Sequence, residues 1–380
     1  MIIRKMVMIL LVALATGCQA SPTSSTVLDL DFKYQGEYIG KTETDSTVLG
    51  AQVVAKGGGQ FSVAFLTGGL PGNGWDTVSR VEQNGSRQST TVHFTVVSPA
   101  KEFVADISAD GEILSGKNPQ GKNFSLKKII RKSPTLGQPP PSNATTLFNG
   151  VDLTAFETGT AILSDSLLLP QGSASSGATT LKKFGDFALH LEFLEPYMPS
   201  SSGLERGNSG VYLQGRFELQ VLDSFGLNLL RGGEGPATQE CGAFYQLARP
   251  KLNMSFPPLS WQTYDVEFTS AKFDVQGKNI IDTAVVTVRL NGVAIHDHQK
   301  LRSNTLLGDA VTATTGPLRF QAHGDPVYYR NIWVAENVGT GVKPALKKRV
   351  GVGRGKAKAL TVANGRSIVT GAGYGVYLGL

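Results

Sequence analysis

The chain has only two cysteines in 380 residues, Cys18 and Cys241, so a multi-bridge disulfide framework is excluded and stability must come from buried apolar surface. No apolar run reaches spanning length: the longest, Met6–Ala15, is about half of what a bilayer requires. Runs at helical spacing are scarce, whereas Gly 45 and Pro 18 supply frequent turn signals, which predicts an all-β chain. Acidic residues are missing altogether from 341–380, where Lys343, Lys347, Lys348, Arg349, Arg354, Lys356, Lys358 and Arg366 give +8. The formal charge of +6 therefore leaves the other 340 residues at −2, and a near-neutral body gives no support for nucleic-acid binding. The glycine-rich Gly68–Gly74 lacks a following Gly-Lys-Ser/Thr, so it is not a phosphate loop but a wide turn with Trp75 packed behind it.

What is present begins with a targeting pattern. Arg4 and Lys5 precede Met6–Ala15, then Thr16, Gly17 and Cys18 follow. This resembles a bacterial lipoprotein signal over 1–18, with Cys18 lipidated; Ala15 stands three before the cysteine where a leucine is usual, and Leu14 is one step further out. The expectation is an exported cell-envelope protein, periplasmic or outer-membrane tethered, that touches the membrane by its lipid anchor only. With Cys18 so used, Cys241 has no partner for a disulfide. The Ser/Thr/Pro-rich stretch 19–26 reads as a tether.

Residues 27–132 read as a smaller β-rich module. Its strand candidates are Val53–Ala55, Phe61–Leu66, Thr91–Val97 and Phe124–Ile130, with turns at Gly57–Gly59, Gly68–Gly74, Asn84-Gly85 and Asp110-Gly111. The proline-rich 133–144 is a stiff, extended connector. Residues 145–336 hold at least eight strand-like runs, including a hairpin around Asn291-Gly292, which argues for a jelly-roll β-sandwich. The basic, glycine-rich tail 337–380 is expected to be disordered.

The segment Gly207–Ser224 is the most informative. Apolar Phe217, Leu219 and Val221 alternate with Glu218 and Gln220, so one strand face packs while the other carries polar groups. Val211 and Leu213 alternate with Tyr212 and Gln214 likewise. Asp223 joins the Glu218/Gln220 face if a one-residue bulge falls near Leu222. Carboxylate, carboxamide and guanidinium together suit a polyhydroxylated ligand. Asn208 and Ser209 would line the rim. The resemblance of Gly207–Gly210 to a serine-protease nucleophile segment lacks the upstream histidine motif, since His190 lies in an ordinary strand.

The second block resembles the 3-keto-disaccharide hydrolase family. The matching segments are Leu147–Leu153, Phe184–Phe193, Gly207–Ser224, Cys241–Tyr245, Trp261–Phe268, Asn291–Asp297 and Gly316–Trp333. The resemblance implies a concanavalin A-like jelly roll acting on sugars oxidised at carbon 3. Ala322 stands where an acidic residue is expected before the histidine, which argues against a metal site built there. The first block resembles a module that accompanies some such domains, with no known function.

A ketone at carbon 3 acidifies the carbon 2 proton, and elimination can then expel the group on carbon 1. That needs a base, a stabiliser for the enolate and an acid for the leaving oxygen. A paired-carboxylate glycosidase mechanism can also be written with Glu218 and Asp223. On the resemblance, the roles fall to Glu218 or Asp223 as base, His323 as acid or enolate stabiliser, and Arg216 or Arg330 as charge clamp. His323 shares an alternating polar face with Arg319 and Gln321, and equally could bond Asp325 across Gly324 as a structural histidine. Gln321 and Asp325 would orient the ligand. Tyr245 and Trp261 could stack on a sugar ring, or Trp261 could plug the core. His296 and His298 share one strand face with Asp297 opposite, an exposed hairpin strand more than a zinc pair. No organic cofactor is implied; a divalent metal stays open, with no ligands assignable from spacing. A sugar 3-dehydrogenase that makes the ketone is the expected pathway partner. The competing reading is a carbohydrate-binding sandwich without catalysis, distinguished by carboxylates of displaced pKa.

Overall fold

The computed structural model describes residues 29–94, 102–227 and 238–336, and the backbone of three short strands in the tail. Cys18, the signal and tether, and positions 95–97 of the predicted strand lie outside the described residues. Among the described residues all regular structure is β, apart from two single 3-10 turns.

The first block is a closed antiparallel barrel of eight strands: β1 (Gly36–Thr42), β2 (Val48–Gly57), β3 (Gln60–Thr67), β4 (Arg80–Gln88), β5 (Thr91–Phe94), β6 (Val104–Ile107), β7 (Ile113–Lys117) and β8 (Asn123–Ile129). Each strand pairs with the next, and β1 closes on β8 from Glu37↔Ile129 to Thr42↔Phe124. Alternation fills the inside with Leu49, Ala51, Val53, Phe61, Val63, Phe65, Phe124 and Leu126. Closure removes the sheet edges, which a module of short strands needs. The Gly57–Gly59 turn forms as expected, all three glycines at positive φ. Asn84-Gly85, read as a turn, instead lies inside β4. The reason is packing: a Cβ on Gly85 would come within 2.4 Å of the Phe94 ring, so the glycine makes room for a neighbouring strand's aromatic.

The second block is a sandwich. Its strands are β9 (Ala144–Phe148), β10 (Ala161–Ser164), β11 (Leu167–Pro170), β12 (Gly177–Phe184), β13 (Phe187–Leu194), β14 (Ser209–Leu213), β15 (Phe217–Val221), β16 (Gln262–Thr269), β17 (Lys272–Phe273), β18 (Ile280–Asp282), β19 (Ala284–Leu290), β20 (Val293–Leu301), β21 (Gly316–Gln321) and β22 (Tyr328–Glu336). The large sheet runs β10-β11-β22-β13-β16-β19-β20, with β9 on β22; the small sheet runs β12-β21-β14-β15. Leu189, Leu191, Phe193, Val266, Phe268, Val286 and Val288 from one sheet meet Val211, Leu213, Phe217, Leu219, Leu318 and Phe320 from the other in one continuous core. Each fully buried side chain of this kind contributes about 1.5–3 kcal/mol. The β19–β20 hairpin turns on Asn291 (φ 52) and Gly292 (φ 80), the primed turn its dipeptide predicts.

The proline-rich segment is docked rather than a free spacer. Ser133 and Thr135 are buried against Thr263 and Asp265, the Gly137 N–H donates to Glu192, and the Gln138 carbonyl accepts from Asn331 and Trp333. It straps the outer face of the large sheet. In the tail, Lys358–Val362, Arg366–Gly371 and Tyr374–Gly375 form a three-stranded antiparallel sheet where disorder is expected.

Candidate active site

The site residues converge on the outer face of the small sheet. In the β14–β15 ladder, Gly210 opposes Gln220 and Tyr212 opposes Glu218, while Val211, Leu219 and Phe217 turn into the core. Gln214 (φ 55) and Gly215 (φ 71) make the tight primed turn that fixes this register. Gly210 leaves room for the Glu218 side chain: a Cβ there would lie 2.5 Å from Oε1. Glu218 itself is only 3% exposed. Burial pushes its carboxyl up to about 7, against the opposing pull of the nearby Tyr212 hydroxyl and the charge of Arg319. The Arg319 guanidinium lies 4.0 Å over the Tyr212 ring and donates to the Leu307 carbonyl. Burial, then the Glu218 charge, hold the Tyr212 phenol well above its ordinary value, so it keeps its proton.

From there a chain of amides runs along the face. Gln321 Nε2 donates to the Ala174 carbonyl and to the Tyr212 hydroxyl at 3.3 Å. Gln220 Nε2 donates to Asn208 Oδ1 at 2.7 Å, and the Asn208 N–H donates to Asp325. Tyr245 runs beside β15, its N–H on the Glu218 carbonyl. Val221 and Leu222 both enter the core, so alternation breaks where a bulge was expected and Asp223 emerges on the polar side. There it accepts from Arg206 Nε at 2.7 Å. Glu195 is next: wholly buried, it accepts from Gln262 at 2.9 Å, and burial followed by the charge of Asp223 holds its carboxyl well above the usual range. Buried Cys241 donates weakly to Glu195, and burial keeps its thiol protonated.

Several expected residues stand elsewhere. Arg216 is no free clamp: it ties down the 305–315 loop through the carbonyls of Ala310, Ala313 and Thr315, because it sits at the mouth of the hairpin turn. Arg330 and Trp261 belong to the large sheet, where the guanidinium lies 3.8 Å over the indole and bonds Glu192. A cleft of about 350 Å³ lined by Asn149, Asp165, Arg330 and Asn331 lies there too and includes none of the Glu218 group. His323 falls beyond the end of β21; among the described residues no hydrogen bond joins it to Glu218, Asp223 or Asp325, whose Oδ2 is held by Asn208 instead. His296 and His298 do not share a face. A register shift in β19–β20, with His298 at φ 49, buries His296 against the Gly242 carbonyl and leaves His298 exposed beside Asp297. Among the described residues no three His, Cys, Asp or Glu gather as a metal site.

Sequence reasoning missed Arg319, Arg206 and Glu195 as participants. Arg319 carried a signal, since it alternates with Leu318 and Phe320 beside Gln321. Arg206 adjoins Gly207 but precedes any readable alternation. Nothing local marks Glu195, a lone acid after an apolar strand.

Residues 143–335 match the family described as the 3-keto-alpha-glucoside-1,2-lyase-like domain. The chain belongs to this family. Membership makes it, in general terms, a carbohydrate-acting enzyme. The domain is also similar to the crystal structure of a candidate glycosyl hydrolase from Parabacteroides distasonis, at 30% identity and TM-score 0.46, over 52% of this chain and 86% of that one. A second candidate glycosyl hydrolase from the same organism aligns at 20% identity and TM-score 0.39, over 51% and 94%. Comparison with curated proteins found no match.

Proposed function

We propose that the sandwich cleaves 3-keto-glycosides by elimination across carbons 2 and 1, followed by hydration. The observation that carries this is Glu218: a buried carboxyl at about 7, directly across the ladder from a protonated phenol on a face rich in amides. A base for a carbon acid works best when its pKa lies near the working pH. Ionised Glu218 takes the carbon 2 proton, and the C–H electrons move into the carbon 3 carbonyl as an enolate. Arg319 and the Tyr212 hydroxyl supply charge and a hydrogen bond to the oxygen where negative charge develops. Collapse of the enolate forms the carbon 1–carbon 2 double bond and breaks the bond to the leaving oxygen, which takes up a proton. Water then adds at carbon 1.

Two buried polar atoms flank Tyr212 without a partner, Arg319 Nε and Gln321 Oε1. One is a donor and the other an acceptor, and a sugar hydroxyl serves both. The raised carboxyl favours catalysis over simple glycan binding, because a binding face needs no carboxyl poised near neutrality. Concanavalin A-like topology and envelope tethering through Cys18 are parts of the same proposal.

The test is incubation of the purified protein with 3-keto-trehalose, 3-keto-sucrose and their unoxidised parents, with and without chelator. Release from the keto-sugars alone supports the reading. Equal release from the parents, or none from any, removes it.

A further inference from the structure

The barrel does not hang beside the sandwich; it grips the two segments that bring Glu195, Arg206 and Asp223 together. Strands β2 and β3 are buried on their outer as well as inner faces, which an isolated barrel does not require. The outer residues Gln52 and Val54 lie against Gly226, three positions after Asp223: a Cβ on Gly226 would meet Val54 at 2.5 Å. Arg80 donates to the Gly226 carbonyl. On the other segment, the Tyr197 hydroxyl donates to Asp29 at 2.9 Å, and its ring packs edge-on to Phe32 at 4.9 Å. Ser200 abuts Gly57, and Arg206 Nη1 reaches the Ala55 carbonyl at 3.5 Å while its Nε holds Asp223. A third contact runs through Arg131, paired with Glu37, bonded to the Pro71 carbonyl and stacked 5.0 Å over Phe256. The barrel contacts thus land on both sides of one buried carboxylate pair.

We infer that the barrel is a working part of the active site: through Arg206 and the clamped segments 195–206 and 223–227, it sets the position of Asp223 and Glu195. Arg206 is a positioning residue, bridging a barrel carbonyl and a sandwich carboxylate. The titratable and charged groups that face the pair are Arg206, Cys241, Tyr264 and Tyr329, of which only Arg206 is positive. Against burial and the charge of Asp223, the Gln262 hydrogen bond and then the Arg206 charge pull the Glu195 carboxyl downward. Loosening the seam moves that charge away, so Glu195 must titrate at higher pH. The inference rests on reading this face as the site, but that titration is independent of any substrate.

The experiment uses the full chain carrying Arg80→Gln and Tyr197→Phe, neither of which belongs to the catalytic group. Amide exchange at Val54, Ala55 and Gly226 reports whether the seam has opened, carbon-detected NMR follows Glu195, and turnover is measured on a 3-keto-glycoside. The expected result is faster seam exchange, a Glu195 titration raised by about one unit, and kcat lowered roughly tenfold with KM little changed. Arg206→Lys, which keeps the charge but cannot span both partners, should restore part of the titration relative to Arg206→Met. Faster seam exchange with Glu195 and kcat unaltered overturns the inference. A shifted Glu195 in a protein that turns over no keto-sugar upholds the coupling and sinks only the proposed reaction.

Discussion

Glu218 and Tyr212 face each other as directly opposed residues of the β14–β15 ladder, and the Tyr212 phenol donates to the Leu306 carbonyl at 3.4 Å. This pairing puts a base and a proton-bearing hydroxyl side by side on a rigid hairpin, with no loop between them to relax. Glu218→Gln keeps size but removes the base. Turnover should fall by about 10³-fold or more with the fold intact, as read by kinetics and circular dichroism. Retained turnover would move the base elsewhere.

The Glu218 carboxyl also carries a stability signature. Its folded value of about 7 exceeds the unfolded value near 4.5, so the native state binds the proton more tightly. Stability contributed by that proton is full below pH 4.5 and is lost as pH rises to about 7, a change of roughly 3 kcal/mol. Glu218→Gln should remove this slope, making the variant relatively more stable above neutrality. Thermal melts of both proteins from pH 4 to 8 check it.

Tyr212→Phe and Arg319→Met should move the pH profile the same way. Both groups hold the Glu218 carboxyl down against burial, so removing either lets it rise further. The rising limb of kcat/KM, set by ionisation of the base, should shift to higher pH in each variant. A shift to lower pH, or none, contradicts the assignment.

The hairpin and its two faces were legible because both rest on neighbours in sequence: alternation in Phe217–Val221 and the Asn291-Gly292 turn. Alternation says which face a residue takes, but not which sheet its strand joins. That is why Arg330 and Trp261 were placed with Glu218 although β22 and its neighbours form the other layer. Barrel closure through β1 and β8, and the contacts of Arg206 and Glu195, join residues far apart in the chain, so no local pattern announces them.

The large-sheet cluster makes an independent prediction. His190 is wholly buried; burial works to lower its pKa, but hydrogen bonds and charges from Asp265 and Glu192 outweigh it and hold the imidazole above its ordinary value. Burial likewise opposes Glu192, yet bonds from His190, Asn331, Gly137 and Arg330 hold its carboxyl at about 2. The stabilisation from His190 is full below its unfolded value near 6.5 and is lost as pH rises through the higher folded one. His190→Ala should cost about 3–5 kcal/mol, measured by urea unfolding at pH 6. Arg330→Ala should weaken the strap while leaving kcat within about twofold. A large loss of kcat in Arg330→Ala would return that residue to the active site.

Cleavage that begins at carbon 2 leaves an isotopic record. A 3-keto-glycoside deuterated at carbon 2 should lose its label as the aglycone is released, with a rate below that of the protiated sugar. Glu218→Gln should neither release nor exchange. Release with the carbon 2 deuterium retained, and at an equal rate for both isotopologues, would contradict the account.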